Sequence, residues 1–546
     1  MLRNILHACG IPILGVISLQ AAEPMQVDFC IYGGTSGAVA AAVQAKRLKR
    51  SVVIVSPDRF LGGMTSGGLG YTDIGDERIL GGLSKEFFEK VYQHYQQDSA
   101  WNWQKRDTFA NKGQGGPAMN HQAKTMSLFE PGLAQAIFDG WIREYDIPVI
   151  YDKLDRSPKG IVKQGASIIS LTTLKGQMVK AKIFMDATYE GDLMALAGVS
   201  YTMGREPSAK YGESENGIQP DHKGNQLPRG IDPYIVPKDP NSGLLPGVNP
   251  GLGGAKGDGD EKLQAYCYRM CLTNHAENRI AIEKPANYDE KSYEILFRAI
   301  EAGQKNRFFK FSALPNQKTD SNNDSGASTD LIGGNYAYPE ADYAEREKIA
   351  EAHKQWQLGL IWSLQHHPRV PEAIRKQHMP WGLPKDEFAA NGHWPHALYV
   401  REARRMVGDY VVTQDVVSNK KGVDRSIGMG AYTMDSHHVQ RYVTARGDVQ
   451  NEGDVQSRIH GPYRIDYGAV IPKQKECDNL YVTFCVSASH IAFGSIRMEP
   501  VFMCLAQSAV TAGVIAIDGG ISVQEVPYEK LKPRLIEDGQ KLELTR

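Results

Sequence analysis

Two histidine sites and an arginine are the side chains whose types and settings suit chemistry. His490 follows Ser487 and Ser489 in a small, polar turn, SASHIAFGSIRMEP, and Arg497 and Pro500 close the same stretch. A histidine in such a turn, off any apolar helical face, suits a general base that takes a hydroxyl proton. Arg497 would stabilise negative charge developing nearby, or pair with Glu499 or Asp435. His437 and His438 stand side by side in DSHHVQRY. Adjacent side chains diverge, so at most one of the two enters a pocket, as a second base or a sugar contact. No histidine–cysteine–acid set has metal-ligand spacing, so no metal site is expected.

A glycine turn supplies the second kind of chemistry, anion binding. Gly33-Gly34-Thr35-Ser36-Gly37-Ala38 lies between an apolar strand, Val27–Tyr32, and a helix of small residues that follows it. A second strand runs over 51–55. This is a βαβ unit of the dinucleotide-binding type, with the diphosphate at the helix N-terminus. Thr35 replaces the usual middle glycine, and Ala38 takes the last place. Ser56 stands where an acid commonly takes the ribose hydroxyls, with Asp58 two residues on as the substitute. Gly62, Gly63, Met64 and Gly67 form a second loop in which backbone can approach a flat ring system. Ala187 and Thr188, in DATYEGD, end a strand with residues small enough for close approach. Glu190 and Asp192 in the same stretch read as acids of a helical first turn.

The elements that must position these groups are legible in outline. Helical spacing predicts helices over 83–97, 131–145, 290–302 and 342–366, and a long apolar one from Pro500. It also predicts helices over 261–274, carrying Cys267 and Cys271, and over 401–417, carrying Arg401, Arg404 and Arg405 on a solvated or ion-paired face. Segments 165–174 and 177–187 read as a ribbon, and NLYVTF as a strand. Residues 219–260 are dense in Gly, Pro, Asn and Asp and read as a long ordered loop.

The chain has 546 residues and a formal net charge of −1, which gives no electrostatic case for nucleic acid or an anionic membrane. The first 22 residues carry Arg3, an apolar stretch and Ala21-Ala22, as an export signal does, and leave no membrane span after removal. The expected location is periplasmic or secreted. Of seven cysteines, Cys9 falls in that segment; the other six are scattered and read as buried free thiols.

Six blocks in order, YGGTSGAVAAA, FLGGMTSGGLGYTDIG, DATYEGDLMALAGVSYTMGRE, REARRMVGDYV, DSHHVQRY and SASHIAFGSIRMEPVFM, resemble the FAD-dependent oxidoreductase family found in exported proteins of polysaccharide-degrading bacteria. The resemblance covers essentially the whole chain after the leader. It implies an α/β fold: a Rossmann-like FAD-binding domain of the glutathione-reductase type, formed by 23–201 and 398–546, with an inserted α+β substrate or cap domain over 202–397. It places the 61–68 loop along the flavin, and Arg497 and Met498, at the start of the last helix, at its pyrimidine edge. His490 would then take a hydroxyl proton while hydride passes to the flavin, or serve as a covalent attachment point. The implied activity is oxidation of an alcohol or amine carbon on a small-molecule or oligosaccharide substrate, with an unassigned electron acceptor. A redox-neutral lyase or isomerase using bound FAD or NAD transiently is the alternative, and a non-catalytic nucleotide-binding module is a third reading.

Overall fold

The computed structural model describes residues 24–110, 112–113, 116–222 and 224–544. The proposed leader, residues 1–22, lies outside them.

Apolar runs with few polar residues build the strands of a central sheet, as strands covered on both faces require. β1 (Met25–Tyr32) enters the glycine turn and continues into α1 (Ser36–Arg47), whose residues Ser36 to Ala45 are all buried. Only small side chains permit that, because α1 is sandwiched between the sheet and the last long helix. β2 (Val52–Ser56) is buried throughout. The short α2 (Gly63–Ser66) carries the second glycine loop. α3 (Gly82–Tyr95) and α4 (Pro131–Glu144) cover one face, with Pro131 at the first helical position, where its missing N–H costs nothing. β3 (Val149–Tyr151) follows, and β4 (Ile161–Gln164), β5 (Ser167–Thr172) and β6 (Met178–Asp186) complete the run.

The order is β3-β2-β1-β6-β5-β4, with strand Leu480–Val482 also on β6. β3, β2, β1, β6 and Leu480–Val482 are mutually parallel, while β5 joins β6 antiparallel. Tyr32 pairs with Asp186, so the glycine turn and the 186–192 crossover leave the sheet side by side at its carboxyl end. That is where parallel α/β sheets place ligands.

Residues 202–397 add no strand to this sheet and gather their own core, including Tyr266, Phe297, Leu360 and Trp394. The helix expected over 261–274 is absent. Met270–Thr273 is instead a fully buried strand, β7, paired antiparallel with β8 (Lys318–Ser321). Long-range pairing overrides local periodicity there. α5 (Glu294–Glu301) and the 24-residue α6 (Tyr343–His366, capped by Asp342) match the expected helices. The helix expected over 401–417 is also absent: the chain there is extended, Arg405-Met406 pairs with Tyr201-Thr202, and only Gln414–Val417 is helical. The cause lies in the arginines. Arg401, Arg404 and Arg405 are buried and reach different carboxylates, Asp330, Asp192 and Glu206, so one helical face cannot serve all three.

α7 (His490–Ile496) and α8 (Glu499–Gly519) return to the sheet. α8 is long and apolar enough to cross a membrane, yet 94% of its most apolar window is buried inside the protein, packed on α1. The six described cysteines are buried free thiols.

Candidate active site

The site is built where β1, β2 and β6 end. Thr35 caps α1, accepting from Ala38 N–H while donating to the Ala187 carbonyl at 2.7 Å. The threonine that departs from the glycine pattern therefore ties the turn to the neighbouring strand end. Gly33 has φ +132°, and a Cβ there would lie 2.4 Å from the Ala187 carbonyl oxygen, so no other residue fits. Gly63, at φ +53°, comes within reach of Thr35 Cα and the Tyr189 hydroxyl. Ser36, Gly37 and Ala38 open α1, whose first N–H groups no helical carbonyl reaches.

A cleft of about 310 Å³ opens on this turn, bordered by Gly34, Thr35, Asp58, Gly63, Thr188 and Glu190 among others. Ser56 does not line it. Its hydroxyl is spent on its own turn, donating to the Asp58 carbonyl and accepting from Asp58 N–H. Asp58 does line it, and its carboxylate makes no hydrogen bond among the described residues. Asp58 is accessible to solvent at the cleft mouth. The protein mass around it and the Glu190 carboxylate raise its pKa, against Lys153 and solvent screening. Glu190 accepts from Tyr338 O–H, and burial raises its carboxyl too. Asp192 is instead structural, clamped by Arg346 at 2.6 Å and Arg404 at 2.9 Å. His396 lines the cleft, and burial pulls its pKa down to about 4.

Beyond the cleft the ring of Tyr189 leads to a narrow aromatic niche, walled by Tyr399, Phe484, Phe493, Phe502 and Arg497. Met64, Leu69 and Tyr399 pack together at its edge, with Ala397, whose Cβ faces Gly67. The Tyr189 hydroxyl accepts from Met64 N–H and donates to Glu499. Glu499, in the first turn of α8 after Met498, also accepts from Ser36 and Thr65 hydroxyls.

Behind Tyr399 lies a buried polar cluster. Arg497 donates to the Tyr399 hydroxyl at 2.7 Å and pairs with Asp435 at 2.7 Å, which settles its partner as Asp435 rather than Glu499. His437 Nδ1 is 2.7 Å from Asp330, and its Nε2 is 3.7 Å from Asp435. Asp330 also pairs with Arg401 at 3.1 Å. Burial would raise Asp330, but Arg401 and His437 hold it well below the carboxylate range. Burial, aided by Arg401, lowers His437 and keeps it neutral at neutral pH. Arg269, over the Tyr399 ring, pairs with Asp320 and Asp73.

His490 is placed differently. It is the first residue of α7, its Nδ1 sits 2.8 Å from Glu402, and Glu402 in turn holds Arg405 at 2.7 Å. That buried network borders neither the cleft nor the aromatic niche. His438 is bound to the Asn225 carbonyl, so the two adjacent histidines do diverge.

A sequence model described as FAD dependent oxidoreductase matches residues 28–535. The chain belongs to that family. FAD is therefore the cofactor, and the fold is that of an FAD-binding α/β enzyme. Solved flavoenzymes show partial likeness. A flavin-containing monooxygenase from Stenotrophomonas maltophilia is 17% identical over 36% of this chain and 45% of its own, with a TM-score of 0.20. L-proline dehydrogenase from P. horikoshii is 17% identical over 34% of this chain and 59% of its own, TM-score 0.23. Bacillithiol disulfide reductase from Staphylococcus aureus is 13% identical over 30% of this chain and 38% of its own, TM-score 0.18. No curated protein matches.

The residues present fit FAD. Gly33 to Ala38 and Thr188 border the cleft end of the sheet, where Gly33 lets the turn lie against the Ala187 carbonyl, and the α1 N-terminus suits the diphosphate. Asp58, which lines the cleft, would be the acceptor for ribose hydroxyls. Met64 packs on Tyr399 and Gly67 against Ala397 beside the same turn. Among the described residues no group of histidines, cysteines and acids is arranged to hold a metal. Sequence reasoning missed Tyr189, Asp330, Tyr399 and Arg269, whose roles depend on contacts across the fold. Tyr189 alone sat inside a block already singled out.

Proposed function

We propose that this flavoenzyme oxidises an alcohol or amine carbon of a small carbohydrate-type molecule or oligosaccharide after export, with the Asp330–His437 pair as its base. One observation carries this reading: a neutral, carboxylate-oriented histidine lies in a buried polar cluster that reaches the wall of the aromatic niche through Asp435, Arg497 and Tyr399. FAD, when bound, supplies the hydride acceptor. Asp330 accepts from His437 Nδ1–H and fixes the tautomer, which leaves Nε2 to take the substrate hydroxyl proton. Asp435 supports the imidazolium that forms and is itself held by Arg497. The aromatic wall excludes water from the niche. The alternative, a redox-neutral lyase or isomerase, shares the cofactor site and predicts no net electron transfer to dioxygen or a dye.

His437→Ala should slow substrate-dependent bleaching of the flavin by about 10²- to 10⁴-fold with FAD still bound, the usual range for a lost general base. His490→Ala, tested beside it, decides between the two histidines. Unchanged kinetics in His437→Ala and a large loss in His490→Ala would reverse the assignment. Anaerobic mixing with a sugar panel, followed by dye reduction, separates oxidation from a redox-neutral reaction. Cell fractionation with mass determination of the mature N-terminus tests export.

A further inference from the structure

His437 faces a carboxylate at each ring nitrogen, and each of those carboxylates is held by its own arginine. Nδ1 lies 2.7 Å from Asp330, and Nε2 lies 3.7 Å from Asp435. Asp330 pairs with Arg401 at 3.1 Å, and Asp435 with Arg497 at 2.7 Å. The five side chains form one line, Arg401–Asp330–His437–Asp435–Arg497. Its two ends meet again over the Tyr399 ring, 4.8 and 5.5 Å from the centroid. All members but Asp435 are buried, so water cannot stand in for a missing charge.

The arginines are anchored independently of the histidine. Arg401 also donates to the Ala265 carbonyl, to Cys267 Sγ at 3.0 Å and to Asn322 at 3.1 Å. Arg497 donates to the Tyr399 hydroxyl at 2.7 Å and to the Asp435 carbonyl at 3.2 Å. Two carboxylates alone would hold the ring between them as imidazolium, since each favours the charged form. Two guanidiniums offset that pull. Burial lowers His437, and Arg401 lowers it further against Asp330. The other charged or titratable groups nearby are His438, 3.8 Å from Asp454, and His353 and Cys267, which face Asp330 and Arg401. Arg269, also over Tyr399, has its own carboxylates, Asp320 and Asp73.

We propose that Arg401 and Arg497 are positioning residues that act through Asp330 and Asp435. By matching the two carboxylates they leave His437 Nε2 without a proton, ready to accept one from a substrate hydroxyl. The part in catalysis rests on the reading of His437 as the base; the charge matching does not.

The test reads the His437 ring directly and needs no substrate. Full-length protein labelled with ¹³Cε1-histidine is titrated by NMR across about pH 5 to 8, where an imidazole changes charge. The His437 signal is identified by its loss in His437→Gln. Wild type should show an unprotonated ring at neutral pH. Arg401→Gln leaves Asp330 unmatched and should raise the protonation midpoint by about 1–3 units, a 10- to 1,000-fold gain in proton affinity. Arg497→Gln should raise it less, because Asp435 stands farther from the ring. Arg401→Lys keeps the charge and should restore most of the wild-type midpoint, which a role in packing alone would not do. The acid limb of the dye-reduction rate against pH should move with the NMR midpoint. If neither glutamine variant folds, Asp435→Asn decides, since it leaves Arg497 unmatched and should lower the midpoint. A wild-type ring already protonated at neutral pH, or midpoints that stay in place when these charges are removed, would overturn the proposal. Midpoints that move as expected while His437→Ala keeps full flavin bleaching would instead refute the base and leave the charge matching standing.

Discussion

Glu499 is a buried carboxyl with no cation paired to it among the described residues. Three hydroxyls, from Ser36, Thr65 and Tyr189, converge on it from three separate elements. Burial raises its pKa and the three donors oppose that shift. The residue thereby fastens the first turn of α1, the second glycine loop and the strand crossover to the start of α8. None of this is visible in the sequence, where Ser36 reads as part of the phosphate turn and Glu499 as a partner for Arg497. The partners are 463 residues apart for Ser36, and only the fold brings them together. Glu499→Ala should strand three buried hydroxyls and lower stability by about 2–4 kcal/mol. FAD content should fall with it. Glu499→Gln, which keeps an acceptor oxygen, should lose less of both. Thermal unfolding and the absorbance of released cofactor check this, and equal losses in the two variants would contradict the role assigned to the acceptor.

Elements whose own sequence decides them were legible; those decided by distant partners were not. The βαβ unit announces itself because an apolar strand, a glycine turn and an alanine-rich helix each have only one good use. The 401–417 segment failed for the opposite reason. Its arginines have helical spacing, but three separately placed buried carboxylates draw it out straight. Segment 261–274 failed likewise, since β7 exists only by pairing with β8. In the site, the glycines were readable because their constraint is local backbone geometry. Asp330, Arg269 and Tyr399 were not, because their meaning is a contact. Gly33 gives a test at this scale. Gly33→Ala places a methyl against the Ala187 carbonyl at a left-handed φ, so the turn must shift away from β6. The expected outcome is loss of FAD from the purified protein and a Tm several degrees lower. Retention of full FAD content would show that the turn does not serve as the cradle.

The two cores of the molecule are joined by buried ion clusters, and one of them makes stability depend on pH. Lys318, on β8 of the insert, is 2.7 Å from Glu130 at the head of α4, 2.9 Å from Asp386 and 2.7 Å from Glu387. Glu387 also accepts from Gly132 N–H in the first turn of α4. One cation faces three carboxylates, so full ionisation leaves excess negative charge in a buried place. Burial raises Glu387 to about 7, and Glu130 and Asp386 add to the shift against Lys318. A folded-state carboxyl raised above its unfolded value of 4.5 binds a proton that the unfolded chain has already released. Between pH ~4.5 and ~7 the folded state therefore holds more protons, and this group's contribution to stability falls as pH rises, levelling above ~7. Glu387→Gln holds a permanently neutral side chain in the same place and should remove that part of the slope. Tm measured across this range for FAD-loaded wild type and Glu387→Gln should converge toward the acid end and separate toward neutral pH, with the variant higher. Curves that run parallel would mean that the proton resides on another member of the cluster. Lys318→Met, by contrast, removes the buried cation that faces Glu130, Asp386 and the buried Glu387 and should destabilise at neutral pH, most of all where all three are ionised. The two parts should then lose structure together, because this cluster and the Asp192–Arg346–Arg404 clamp each tie residues of 202–397 to the sheet and its flanking helices.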